Sequence, residues 1–231
     1  MGSKALDLYM KQEASNYLKT TLETILKLVI LNKQSCELDP VRINEMKEGG
    51  YDKDELQQII QKHASMLIDF TDLVFKNILK TIEHIPISLK RVFGAIQNAV
   101  VLKFPESEVA KYTSVTGFLF LRFFVPAILT PRLFGIQIGN ISSQESRTLT
   151  LIAKTLQNLG NLTEFGQKEQ FMAPINQYIE SRLGDIKLYL DKVAIFDQPE
   201  TFSTCSVSIF NLVDGRAPSS TGMLSSTEAA E

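Results

Sequence analysis

Residues 117–129 read Gly117-Phe118-Leu119-Phe120-Leu121-Arg122-Phe123-Phe124-Val125-Pro126-Ala127-Ile128-Leu129. The run has a single charge and no apolar/polar alternation, and it is longer than an ordinary strand. It therefore reads as a helix enclosed by other helices. Pro126 lacks a backbone donor and disfavours helical geometry at Val125, so this helix is expected over 106–124, opened by Pro105 and stopped at Pro126. Arg122, set among apolar neighbours, is costly to bury unless several of its donors find partners. It is expected to hold something. It is either an internal staple on helix or loop carbonyls, or a brace for a loop that carries an active group.

The same helical spacing extends to both sides. Residues 4–31 place Leu6, Tyr9, Met10, Ala14, Tyr17, Leu18, Leu22, Ile25 and Val29 at helical spacing, which predicts one helix. Pro40 and Gly49-Gly50 break the pattern and predict an irregular connection over 32–51. A helix is expected from Asp52, an N-cap followed by Asp54 and Glu55, with Leu56, Ile59, Ile60, Leu67, Phe70, Leu73, Val74 and Ile78 inward. Further helices are expected over 88–103, over 144–159 with Gly160 as its stop, and over 170–182 and 185–196. No stretch shows sustained period-two alternation, so the fold class is all-α. From residue 198 onward, 11 of 34 residues are Ser or Thr. That composition predicts a helical domain over 1–197 and a disordered tail over 198–231.

Composition narrows the function classes. The 231 residues are 44% hydrophobic, enough for one sizeable core. Lys+Arg 24 against Asp+Glu 26 leaves a net charge of −2, which gives no footprint for nucleic acid or for a membrane surface. Cys36 and Cys205 are too few for a disulfide framework or a zinc site, so the chain is expected to be cytoplasmic. The N-terminus has no secretory pattern, and Leu6 stands where a myristoylation motif needs Ser or Thr. No direct membrane insertion is expected, because the 117–129 run is shorter than the roughly 20 residues of a spanning helix.

Searches for a phosphate-binding glycine loop, a nucleophile elbow or a zinc-binding HExxH find none. His63 and His84 lack an orienting Cys, Ser or carboxylate and read as core or cap histidines. Neither cysteine is expected to be reactive. No metal and no cofactor is expected.

A larger pattern surrounds the opening stretch. Phe120-Leu121-Arg122 is followed by Pro126-Ala127-Ile128-Leu129-Thr130-Pro131, then Ser146-Arg147-Thr148-Leu149, Ala153-Lys154 and Gln157-Asn158-Leu159-Gly160-Asn161, with LTEFGQKE over 162–169. Upstream stand Tyr9-Met10-Lys11 and Lys33-Gln34-Ser35-Cys36-Glu37-Leu38-Asp39-Pro40. The combination resembles the Ras GTPase-activating proteins over about residues 3–196.

That resemblance implies a regulator that completes the active site of a GTP-loaded Ras-type small GTPase, not an enzyme with its own substrate. In the family as a whole, an arginine finger supplied in trans accelerates hydrolysis by roughly 10³- to 10⁵-fold. Arg122 matches the arginine that braces the finger loop. Phe120 and Leu121 would pack beneath that loop and along the groove for the Ras switch regions. Arg147, Lys154 and Gln157 match the helix bordering the groove; Asn161 and Lys168 match expected contacts, and Glu169 would orient its neighbour. For Arg147, Lys154 and Gln157, an intramolecular or solvated role stands beside direct contact. Residues 111–170 hold six Lys or Arg and three Asp or Glu, a net of +3. Such a block suits an acidic partner surface.

One departure accompanies the match. The family's finger loop reads approximately Leu-Phe-Arg-x-x-x-Leu-Ala-Ser, and its arginine would fall about three residues before Met1; no arginine precedes Arg42. The expectation is a segment cut in mid-motif, with impaired activation. The alternative is a finger-less binding or scaffold module similar to the IQGAP branch, although that branch departs from the Phe-Leu-Arg pattern that is intact here. Recruitment to the inner face of the plasma membrane would fall to other domains of a full-length protein.

Overall fold

The computed structural model describes residues 2–195, and among them all regular structure is helical. The expected tail over 198–231, Cys205 and Phe196 lie outside the described residues. In chain order the helices are α1 (Gly2–Glu13), α2 (Ser15–Leu31), α3 (Pro40–Asn44), α4 (Lys53–Lys80), α5 (Ile87–Lys103), α6 (Glu108–Leu119), α7 (Val125–Leu129), α8 (Ser143–Gly160) and α9 (Asn176–Val193).

Several boundaries follow from capping chemistry. The Asp52 carboxylate accepts from the Asp54 and Glu55 amides, and Glu55 reaches back to the Asp52 amide, so both orphan-donor problems at the start of α4 are solved together. Ser142 and Glu145 do the same for α8. Asp39 caps α3 through the Val41 amide, which inserts a short helix into the expected irregular connection.

Other boundaries depart from the expectation. The helix expected over 4–31 bends at Ala14 (φ −109°, ψ 14°) into α1 and α2, although its hydrogen bonds continue through Ala14 to Met10 and from Leu18 to Ala14. The two helices expected over 170–182 and 185–196 are instead a 3₁₀ segment, Gln167–Ile175, followed by the unbroken α9, which runs through Gly184. α8 ends at Gly160, as expected, but the glycine is not the left-handed residue of the turn. The turn falls two residues later, where Leu162 takes a left-handed φ of 55°.

The largest correction concerns Pro126. The chain does not leave the helix there: α6 passes into a π turn, Phe120–Phe124, and then directly into α7. The Val125 amide bonds the Phe120 carbonyl five residues back, and Val125 keeps helical geometry (φ −59°, ψ −50°). The wider turn absorbs the donor that proline lacks, because the register of carbonyls ahead of Pro126 is already shifted. The continuous run Glu108–Leu129 is thereby long and apolar enough to cross a membrane, and more than half of its apolar window is buried within the protein.

Its aromatic face is the centre of the core. Phe120, Phe123 and Phe124 are fully buried; Phe124 meets the other two at ring-centroid distances of 5.5–5.6 Å, and the three meet Tyr17 of α2 and Tyr189 of α9 at 5.9–6.3 Å. The two tyrosine hydroxyls meet at 3.2 Å, and burial raises the pKa of Tyr17 to about 12. Across the core runs α8, buried beyond the expected stripe: Thr148, Leu151 and Thr155 are enclosed together with Leu149, Ile152, Ala153, Leu156 and Leu159. Thr155 returns its hydroxyl to the Leu151 carbonyl, so it is buried without an unmet donor. On α4, Phe75 is fully buried, whereas Leu73, expected inward, is exposed.

Candidate GTPase-binding site

The expected residues lie on three elements. Arg122 is on the π turn; Arg147, Lys154 and Gln157 are on α8, with Asn161 at its C-cap; Lys168 and Glu169 are on the 3₁₀ segment. Residues 147, 154 and 161 are spaced by sevens, which brings them nearly onto one line along α8.

At the Arg122 end, the cation is not enclosed by its apolar neighbours. Its side chain is 44% exposed. Nη1 donates to the Gly117 carbonyl at 2.8 Å, Nε lies 3.9 Å from Asp7 Oδ1, and the guanidinium sits over the Phe118 ring at 5.0 Å. The spacing already held the signal, since a residue two positions from both Phe120 and Phe124 is on the opposite side of a helix from them. Arg122 ties the π turn to α1 through Asp7. Phe120, expected along the groove, is fully enclosed, and Leu121 is half-buried.

Along α8 the cations are engaged by carboxylates. Arg147 donates to Glu37 from Nε at 2.7 Å and from Nη2 at 2.9 Å, and its guanidinium lies over the Phe171 ring at 5.9 Å. The Glu37 side chain is only 3% exposed. Burial alone would raise its pKa, but the bonds from Arg147 and from the Asp39 and Leu38 amides outweigh it and hold the carboxyl below the usual range. The Glu37 bonds correspondingly raise the pKa of Arg147. Lys154 is paired with Glu169. Gln157 and Lys168 are exposed, and Asn161 is half-buried.

Two further groups fix this surface without having been assigned to it. His63 donates from Nδ1–H to the Glu37 carbonyl at 2.7 Å, a tautomer dictated by an acceptor that can only accept. Cys36 is buried beside Thr148, and burial pushes its thiol up to about 12, so it is held as an unreactive thiol. His84 is exposed in a 3₁₀ turn after α4. Among the described residues no group of three His, Cys, Asp or Glu side chains is placed to hold a metal. The surface offers preset cations and amides, not a nucleophile with its base.

Comparison with known proteins points the same way. A family model described as GTPase-activator protein for Ras-like GTPase matches residues 1–161. The chain is 36% identical over 195 residues to the probable Ras GTPase-activating-like protein ngap of Dictyostelium discoideum, covering 84% of this chain and 21% of that protein. It is 31% identical over 202 residues to human Ras GTPase-activating protein 1, covering 87% and 18%. To the inhibitory regulator protein BUD2/CLA2 of Saccharomyces cerevisiae it is 33% identical over 194 residues, covering 83% and 17%. The chain thus spans about a fifth of the length of the curated relatives it matches. With the family model spanning well over half of its residues, the chain belongs to the family of GTPase-activator proteins for Ras-like GTPases.

Proposed function

We propose that this chain is a GTPase-activator domain that receives the switch regions of a GTP-loaded Ras-type GTPase along the surface from Arg122 to Lys168. It regulates hydrolysis performed by its partner and turns over no substrate of its own. Leu121, Lys154, Gln157, Asn161 and Lys168 line the contact. Phe120 supports it from below, Arg122 braces it from the π turn, and Arg147 and Glu169 orient their neighbours. The observation that carries the reading is the family match, which includes the whole Phe-Leu-Arg block and α8. The net of +3 over residues 111–170 supports it, because a basic surface accelerates encounter with an acidic one. The domain works in the cytoplasm at the inner face of the plasma membrane.

Positioning and electrostatic stabilisation dominate phosphoryl transfer, so the largest single gain comes from a cation placed at the phosphates in the transition state. Arg122 is committed to Gly117 and Asp7 and serves as a brace, not as that cation. With Arg122 so engaged and Arg147 gripped by Glu37, residues 1–231 bind the GTP form through this surface and leave hydrolysis close to the intrinsic rate. The test measures its affinity for a Ras-type GTPase loaded with a GTP analogue, with GDP, or with GDP and aluminium fluoride, alongside single-turnover hydrolysis. Preference for the analogue over GDP is expected, with little gain from aluminium fluoride. Equal or absent binding of all three forms would sink the reading. A thousandfold stimulation of hydrolysis would refute the reading of Arg122 as a brace with no transition-state cation supplied by these residues.

A further inference from the structure

We propose that Glu37 is a positioning residue for the GTPase-binding surface: its two-point grip on Arg147 sets Phe171 and, through it, the 3₁₀ segment that carries Lys168 and Glu169. The proposal rests on the function proposed above, and it assigns that function's geometry to a carboxylate that makes no contact with the partner.

The grip is built from both sides. Glu37 Oε1 accepts from the Leu38 amide at 3.1 Å, the Asp39 amide at 3.0 Å and Arg147 Nη2 at 2.9 Å, while Oε2 accepts from Arg147 Nε at 2.7 Å. The backbone of the same residue is clamped as well. Its amide donates to Ser35 Oγ at 3.2 Å, and its carbonyl accepts from His63 of α4. Gln144, at the start of α8, bonds the Lys33 carbonyl at 2.9 Å. The loop between α2 and α3 is therefore fastened to two helices, and the carboxylate it presents is fixed before Arg147 meets it.

The other side of Arg147 faces a segment that cannot hold itself. The backbone of Gln167–Ile175 leaves helical geometry at Glu169 (φ −132°, ψ 45°), so it has no continuous ladder of its own. Side chains fasten it instead: Met172 and Ile175 in the core, Lys154 to Glu169 and Arg147 over Phe171, while at its flanks Asn176 bonds both the amide and the carbonyl of Phe165. A planar guanidinium can give one edge to a carboxylate and its face to a ring at the same time, which an ammonium cannot. Loss of the carboxylate frees the edge, lets the plane rotate off Phe171 and loosens the backbone on which Lys168 is exposed.

The test compares the full chain with Glu37→Gln, Arg147→Lys and a core control, Ile186→Val, chosen to lower stability without touching this surface. Hydrogen exchange of the amides over 167–175 is read in the free protein, and affinity is read for a Ras-type GTPase loaded with a GTP analogue. Both Glu37→Gln and Arg147→Lys are expected to exchange faster over 167–175 than the control and to bind about tenfold more weakly, while the control keeps wild-type affinity. Arg147→Lys retains the charge and one bond, so it remains informative if Glu37→Gln does not fold. Wild-type exchange over 167–175, or affinity within about twofold of wild type, in the folded variants overturns the proposal. A wild-type chain that binds no GTPase overturns the function proposed above. In that event the exchange data still decide whether Glu37 orders the segment.

Discussion

Gly160 and Phe120 are in direct contact where α8 crosses the π turn: a Cβ built on the glycine would lie 3.0 Å from the Phe120 Cβ and 3.2 Å from its Cγ. Neither Phe120 atom is the free end of a flexible side chain, so the contact sets how closely the two elements approach. Gly160→Ala must push them apart. The small gain in helix propensity at the last residue of α8 does not offset an overpacked core, and a loss of about 1–2 kcal/mol is expected. Thermal unfolding should fall by about 3–6 °C. An unchanged or raised midpoint would show that the two elements separate freely.

Glu37, a buried carboxylate, and the half-buried Arg147 form a pair whose loss can be read in stability. Glu37→Gln leaves an arginine without its counter-charge, and about 2–4 kcal/mol is expected at neutral pH. The sign of the pH dependence follows from the lowered pKa of Glu37. Its contribution is fully present above the unfolded carboxyl pKa of about 4.3 and is lost as the pH falls through the still lower folded value. Urea denaturation of wild type and Glu37→Gln should therefore show a gap at pH 7 that closes below about pH 4. A gap that persists into stronger acid would count against the pair as its source.

Arg122 should behave in the opposite way. Its side chain is half-exposed and its carboxylate partner, Asp7, is 3.9 Å away, so Arg122→Ala should cost less than about 1 kcal/mol of stability. Affinity for the GTP-analogue form of a Ras-type GTPase should nevertheless fall by roughly tenfold, as for a charged contact that braces an interface. Equal effects on folding and binding would reduce Arg122 to a surface staple.

Lys154 and Glu169 are paired and each is about one-third exposed. Lys154→Met should lower affinity for the GTPase by roughly tenfold, and Glu169→Gln by less, because the lysine keeps its charge when its partner is neutral. The coupling between them, read from the double variant in a binding assay, should be smaller than the Lys154 effect itself. If the two single variants are equivalent, the pair is only structural.

How much of this was legible without coordinates varies by element. The caps at Asp52 and Ser142 are local chemistry, and the helices they start begin within one residue of the expectation. Pro126 was misread because a proline penalty is a statement about α geometry, and the π turn before it changes that geometry. Leu73 is exposed and Phe75, outside the expected stripe, is buried for a different reason. On a 28-residue helix that meets several neighbours, the buried stripe is set by which neighbour is opposite, and periodicity does not carry that information.

The sequence by itself determined that the chain is helical, where most helices start, and which family it joins, because apolar spacing, caps and the Phe-Leu-Arg block are properties of nearby residues. Only the tertiary structure decided what those residues do for one another. Asp7 meets Arg122, Glu37 meets both His63 and Arg147, and Gly160 admits Phe120, across separations of 26 to 115 positions in the chain. Each of these contacts depends on a crossing of helices, and the angle and depth of a crossing are settled by the whole core, not by any stretch of the chain alone.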